Sequence, residues 1–296
     1  MYDIIIVGAG PAGLTAALYA SRANKKVLVL EAKSYGGQII NAAKIENYPG
    51  VDNISGFDYA TNLYNQVKKY GVEIKYETVT RVTEDKKVYT DKENYSAKAV
   101  IIATGASNRR LNIENEQNFI GKGVSYCATC DGNFYRNKDV AIIGGGQTAI
   151  DDAIYLSNIV NKIYLIYRGE KFKEGLSKID ELNSLSNVEL IFNSMVQRIN
   201  GEDKLSSIDI VDKNSNIKNI RIDGLFIAIG QEPKNEIFKN ILDINERGYI
   251  VTKDDVHTNI DGIYVAGDTR VKELRQLTTA VADGSLAATI AIKEMK

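Results

Sequence analysis

The chain is short of the residue types on which several large enzyme classes depend. It has one histidine, His257, in 296 residues. That excludes a histidine-rich metal site, and it excludes any Ser/Cys/His triad built around more than that one side chain. Lying just before Thr258-Asn259-Ile260-Asp261, His257 itself reads as a loop histidine without a chemical role. Two cysteines cannot form the disulfide framework of a small secreted protein. Only three prolines, and no long Ser or Gly tract, argue against extended disorder. A charge of one sign is also missing. The 37 Lys+Arg balance 38 Asp+Glu to a net −1 with no block of like charge, so neither a nucleic-acid surface nor a basic membrane anchor is signalled. No apolar run reaches the roughly 18 residues of a membrane span, and no leader pattern precedes the apolar strand that starts at Tyr2. What these exclusions leave is a cytoplasmic enzyme acting on small molecules or proteins, of a length suited to about two domains of roughly 150 residues.

What is present is the same phosphate-binding device, twice. Asp3 to Val7 is a continuous apolar run, as in a parallel strand buried on both faces. It runs into Gly8-Ala9-Gly10-Pro11-Ala12-Gly13, a helical stretch from Leu14 to Arg22, a second buried strand over Lys26 to Leu30, and the acid Glu31. A glycine loop that follows a strand, opens a helix and has an acid about 20 residues on is a dinucleotide fingerprint in context. Gly8 serves the tight turn, Gly10 the approach of backbone to a pyrophosphate, Gly13 the helix–strand packing and Glu31 the adenosine ribose. The second copy runs from Val140 through Gly144-Gly145-Gly146-Gln147-Thr148-Ala149 to the strand Lys162 to Ile166. There the spacing that separates Gly13 from Glu31 leads from Ala149 to Tyr167, so the acid is missing, and Arg168 follows. This leans the second site toward a 2′-phosphate, NADPH over NADH, with Lys171 and Lys173 in favour and Glu170 opposed.

Two more strands end at glycine, Ala99 to Thr104 at Gly105 and Gly262 to Ala266 at Gly267-Asp268. The predicted architecture is α/β, two Rossmann-like dinucleotide-binding domains with the second inserted in the first. Residues 1–112 and 246–296 form the discontinuous domain and 113–245 the inserted one, with crossings sought in Asn108 to Asn115 and Gln231 to Arg247. The Ala-rich segment Ala280 to Glu294 is expected to be a helix packed on the first domain.

Both cysteines lie in Cys127-Ala128-Thr129-Cys130-Asp131. At this spacing the two sulfurs can close a small disulfide ring, and with no second ligand pair a zinc site is not expected. Asp131 has two readings: a buried acid exchanging a proton with a departing thiolate, or an ordinary acid in a helix first turn. Two dinucleotide sites and one dithiol define an electron route from nicotinamide to flavin to disulfide, the equipment of a disulfide reductase.

Along essentially its whole length the sequence resembles the bacterial low-molecular-weight thioredoxin reductases. The resemblance is carried by Gly8 to Gly13, Gly36-Gly37-Gln38, Glu46-Asn47-Tyr48-Pro49-Gly50, Ala103-Thr104-Gly105, Gly123 to Gly132, Gly144 to Ala149, Gly267-Asp268 and Arg275-Gln276. It implies FAD on the first domain, held by Gly8, Gly10, Ala12, Gly13, Glu31, Gly37, Gln38, Asn47, Thr104, Gly105, Gly267, Asp268, Arg275 and Gln276. It implies NADPH on the inserted domain at Gly144, Gly146, Gln147, Thr148, Ala149 and Arg168. It further implies Cys130 facing the flavin, Cys127 attacking thioredoxin, Asp131 as the acid, a homodimer, and a smaller domain that rotates about paired crossings. One departure stands out. Where NADPH-using members carry His-Arg-Arg and a further Arg, this chain has Tyr167-Arg168-Gly169-Glu170-Lys171-Phe172-Lys173. NADH or ferredoxin as donor, a carrier such as a glutaredoxin-like protein as acceptor, and a redox sensor without turnover therefore stay open beside the main reading.

Overall fold

The computed structural model describes residues 1–42, 44–51 and 53–295, divided into two compact units, Met1–Ser107 with Glu232–Lys296 and Asn108–Gln231. In the first unit, β1 (Tyr2–Val7) leads into α1 (Pro11–Arg22) and β2 (Val27–Glu31). Ile4, Ile5 and Ile6 are sealed from solvent on both faces of the sheet, which is why the strand reads as an unbroken apolar run. Helix α1 starts one turn before the apolar pattern, with Pro11 at its first position, where a missing N–H costs nothing. Helix α2 (Gly56–Lys68) is capped by Ser55, whose Oγ accepts the Asp58 N–H at 3.0 Å. After β3 (Glu73–Tyr76) come β4 (Val79–Val82), β5 (Lys87–Thr90), the long β6 (Asn94–Ile102) and β7 (Ala106–Asn108). The sheet order is β3-β2-β1-β6-β5-β4, parallel from β3 to β6 and antiparallel beyond.

The second unit comprises β8 (Val124–Ser125), α3 (Ala128–Asp131), β9 (Asp139–Ile143), α4 (Gln147–Ser157), β10 (Lys162–Ile166), α5 (Ile179–Ser184) and β11 (Val188–Ile191). An antiparallel sheet follows, β12 (Ser194–Gly201), β13 (Leu205–Asp212) and β14 (Ile217–Arg221), and then β15 (Gly224–Ile227). Its parallel sheet is ordered β11-β10-β9-β15-β8. The chain then returns to the first unit through β16 (Gln231–Pro233), which pairs with β7. Next, β17 (Ile263–Val265) joins β6 in parallel, and α6 (Leu277–Glu294) packs its alanine face on α1.

The doubly wound pattern is the one expected, and the crossings fall at Ser107/Asn108 and Gln231/Glu232. The second lies upstream of the 245/246 boundary drawn from the sequence because Phe238 and Leu242, inside that interval, are buried in the core of the first unit with Val79, Ile250 and Ile263. Residues 108–112 in turn belong to the second unit, where the Arg109 N–H donates to Gly230 O. No helix among the described residues is long and apolar enough to cross a membrane.

His257 is more than a bystander. Its Nδ1 bonds Asp254 at 2.8 Å and its Nε2 bonds Glu294 in the last turn of α6 at 3.1 Å, while Tyr264 Oη donates to Glu294 at 2.7 Å. The Asp254 bond, seconded by Glu294, raises the imidazole above its ordinary 6.5 against the opposing effect of burial. A raised folded-state value gives stability that is whole below the unfolded value and lost as pH climbs through the folded one. The melting temperature of a His257→Gln variant should therefore fall below that of the parent at about pH 6 and match it at about pH 9, a modest difference because the cluster is partly exposed.

Candidate functional site

The first glycine loop is shaped by the strands that flank it. Gly8 sits at φ +110°, and a Cβ there would lie 2.4 Å from Ala103 O at the end of β6. Gly13 packs so closely that its Cβ would fall 1.9 Å from Gly8 O. Glu31 at the end of β2 accepts the Ala9 N–H on Oε2 and the Lys33 N–H on Oε1, and the Gly36 N–H donates to Ala9 O. A Cβ on Gly37 would stand 3.2 Å from Gly10 Cα, so the 36–37 turn lies against the loop. Gln38 is exposed on the short 3-10 turn that follows. The result is a backbone cradle open to the N-terminus of α1, whose unpaired N–H groups suit a pyrophosphate.

The C-terminal segment closes on the same cradle. A Cβ on Gly267 would lie 2.9 Å from Ala12 Cβ, and Asn47 Nδ2 donates to Gln276 Oε1 at 3.0 Å. Arg275 reaches Asp268 O with Nε at 3.4 Å and lays its guanidinium on Tyr249. Thr104, next to Gly105 at the end of β6, bonds Thr269 Oγ1 at 2.8 Å. Asp268 Oδ1 is buried with no hydrogen-bond partner among the described residues, and burial raises its carboxyl while Lys272 and Arg275 partly pull it back. A buried acceptor or acid left unpaired is costly unless a ligand hydroxyl meets it. Two supporting side chains escaped the sequence reading. Asn235, fully buried, accepts from Thr269 Oγ1 at 2.7 Å and donates to the Gly248 and Thr269 carbonyls. Asp283 holds Gly267, Arg270 and Lys272. Neither belongs to a motif, so only three-dimensional contact reveals them.

In the second unit Cys127 and Cys130 are joined in a disulfide, their Cα atoms 5.3 Å apart. Cys127 caps the one-turn helix α3, and the Cys130 N–H donates to Cys127 Sγ at 3.2 Å. Ser125 at the end of β8 orders the pair. Its Oγ accepts the Cys127 N–H at 3.0 Å and donates to Asp131 Oδ2 at 2.6 Å. Burial raises the Asp131 carboxyl although the Ser125 bond opposes it, which favours the proton-exchanging reading of this acid. Tyr135 is pushed up to about 12 by burial and then by Asp131 and Asp223. Another group without a sequence signal is Asp152 on α4, raised to about 7 by burial and by its neighbour Asp151.

Gly144 repeats the first loop's constraint, at φ +155° with its Cβ position 2.5 Å from Ala228 O. Gly146 caps α4, Thr148 is exposed on its first turn and Ala149 is buried beneath. The Gln147 side chain is engaged within the unit. Its amide clasps Ser177, accepting the N–H at 2.8 Å and donating to the carbonyl at 3.3 Å, and it also reaches Asp151. Lys178 bridges to Asp151 at 3.1 Å, so the 168–178 loop is pinned across the start of α4. Within that loop the Tyr167 ring lies against two glycines: a Cβ on Gly145 or Gly169 would come within 2.2 or 2.6 Å of its ring atoms. Phe172 stacks on the ring and Phe192 meets it edge-on. Arg168 is exposed just beyond β10, as are Lys171 and Lys173.

Comparison with known proteins agrees with this geometry. Residues 2–284 match the pyridine nucleotide-disulphide oxidoreductase family. The thioredoxin reductase of Listeria monocytogenes is 40% identical over 294 residues, covering 97% of this chain and 92% of its own length. That of Treponema pallidum is 41% identical over 292 residues, covering 97% and 95%. The crystal structure of thioredoxin reductase from Streptococcus pyogenes superposes with a TM-score of 0.94 at 40% identity, over 99% of this chain and 97% of that one.

The Tyr167 packing has a measurable consequence. Gly169→Arg should lower thermal stability, because a side chain at 169 meets the ring, by about 1–3 kcal/mol as for other overpacked sites. Replacing Tyr167 by the smaller His in the same chain should recover most of that loss, seen as a coupling energy in a double-mutant cycle of melting curves.

Proposed function

The chain belongs to the pyridine nucleotide-disulphide oxidoreductase family, and from that premise we propose that it is a thioredoxin-disulfide reductase, with FAD on the first unit, NADPH as donor on the second, and Cys127 and Cys130 delivering the electrons to thioredoxin. The observation that carries the reading is the Cys127–Cys130 disulfide with Asp131 tied beside it through Ser125, in the unit that also holds the second glycine loop. Action as a homodimer is part of the same proposal and rests on the sequence resemblance.

The residues of the first unit fit FAD. The cradle over α1 offers backbone N–H groups, its shape set by Gly8 and Gly13, which pack against Ala103 O and Gly8 O too closely for a Cβ, and the partnerless Asp268 Oδ1 has the chemistry to meet a ligand hydroxyl. Glu31, Gln38, Asn47, Arg275 and Gln276 would complete the hold. A bound flavin would supply the two-electron chemistry that joins a nicotinamide hydride to a disulfide.

Once the pair is reduced, the Cys127 thiolate attacks one sulfur of the external disulfide, forming a mixed disulfide and expelling the partner's other sulfur as a thiolate. The Cys130 N–H steadies charge on Cys127 Sγ. Asp131, whose carboxyl burial raises, is the acid proposed to exchange a proton with the departing thiolate. Cys130 then attacks Cys127 Sγ, which closes the ring again and frees the second partner thiol. Both electrons leave with the substrate, and the disulfide seen here is restored.

Arg168 is the residue proposed to meet a 2′-phosphate, with Lys171 and Lys173 as weaker point charges. A second reading, in which NADH or ferredoxin donates, is favoured by Tyr167, whose ring takes the space that a side chain at 169 would need. A sensor without turnover is disfavoured by the ordered Ser125–Asp131–dithiol arrangement.

Anaerobic stopped-flow reduction tests the donor. NADPH should bleach the flavin faster than NADH. Arg168→Ala should raise the KM for NADPH about tenfold, the loss of one charge-assisted bond, while leaving that for NADH unchanged. Bleaching by neither nucleotide, with thioredoxin still reduced through ferredoxin, sinks the NADPH reading. Asp131→Asn should slow thioredoxin reduction by about a hundredfold, a common contribution of a positioned acid, while flavin reduction by the donor keeps its rate.

A further inference from the structure

Asp283, on α6, is a heavily engaged carboxylate of the first unit and lies outside the glycine-loop and cysteine motifs. Only 7% of it is exposed. Its Oδ2 accepts the Gly267 N–H at 2.9 Å, Arg270 Nε at 2.9 Å and Lys272 Nζ at 2.8 Å, and its Oδ1 accepts the second Arg270 nitrogen at 3.0 Å. The two cations are themselves withdrawn from water, their side chains 13% and 7% exposed. Next along the helix, Gly284 packs where a Cβ would lie 2.2 Å from Ala12 O in the first glycine loop. One side chain therefore binds the whole 267–272 loop to α6 at the point where α6 meets α1. Between its first two anchors lies Asp268, with its buried Oδ1 that has no partner among the described residues.

We propose that Asp283 is a positioning and charge-balancing residue for the flavin, holding Asp268 in place and neutralising Arg270 and Lys272 beside it. This role rests on the reading that the first unit carries FAD. The physical argument has two parts. Without the carboxylate, the Gly267 N–H and two buried cations lose their common acceptor, and a buried charge stripped of its partner is far costlier than the pair was valuable. The same loss adds a positive charge to a water-poor region beside Asp268, and the electrostatic reach of such a charge exceeds that of one on the surface. A more positive surrounding favours the more negative, reduced form of a bound flavin.

Asp283→Asn keeps the shape and an acceptor for the Gly267 N–H but removes the charge. It should release FAD at least tenfold faster, followed by the rise in flavin fluorescence on dilution. It should also raise the two-electron flavin potential by a tenfold change in the equilibrium constant, about 30 mV. Pairing it with Lys272→Met restores the charge balance and should bring the potential back to the parent value. A purely structural role would leave the potential unmoved in the first variant. If Asp283→Asn fails to fold, Lys272→Met alone decides the matter, since it removes a positive charge and should lower the potential by a similar factor. Unchanged potentials in FAD-loaded variants overturn the role of Asp283. A parent protein that neither purifies with FAD nor takes it up overturns the proposed function instead.

Discussion

Both units depend on one constraint: a buried parallel strand that stops at a glycine pressed against the carbonyl of its neighbour. Gly8 is held against Ala103 O and Gly144 against Ala228 O, each at a positive φ that a side chain rarely tolerates. Because the strand ends there, the following helix begins with its N–H groups exposed toward whatever lies over the sheet edge. Closely placed small residues then let further segments approach, Gly37 against Gly10 and Gly267 against Ala12 in the first unit. The Tyr167 ring against Gly145 does the same in the second. Every candidate ligand contact is downstream of that stop.

The parts of the fold that were legible in the sequence are those with local signatures. The runs at residues 3–7 and 140–143 read as buried strands because both of their faces are covered, and the two glycine loops read as turns because little else can occupy them. The disulfide was legible as a spacing. What the sequence concealed is whatever depends on distant chain segments. Asn235 becomes central only when Thr104 and Thr269, remote in sequence, fold onto it. The second crossing falls at the upstream end of the interval Gln231 to Arg247, and its place within that interval is hidden for the same reason, since the burial of Phe238 and Leu242 depends on strands more than a hundred residues upstream. His257 looked like an ordinary loop residue because its second carboxylate partner, Glu294, sits at the far end of the last helix.

Asp283 in the first unit and Asp131 in the second are treated differently by their surroundings. In the first, Asp283 is surrounded by donors, and although burial pushes its carboxyl up, the Arg270 and Lys272 bonds outweigh that and hold it ionised. In the second, Asp131 has only Ser125 to favour its charged form, so burial prevails and the carboxyl is raised. The contrast follows from the number of hydrogen bonds each receives rather than from depth alone. A group meant to stay charged is crowded with partners; one suited to trading a proton is given few.

The 167–178 loop is tied down at both ends. The Gln147 amide, at the start of α4, fastens Ser177 and Asp151. With Lys178 also tied to Asp151, the loop that presents Arg168 is anchored at its far end and packed at its near end by Tyr167, Phe172 and Phe192. Such a loop is preorganised, so a nucleotide binding beside Arg168 would meet a guanidinium whose backbone is already fixed, and less ordering would offset each hydrogen bond gained. On the proposed reading, Arg168 on an anchored loop would do part of the work otherwise shared among several arginines.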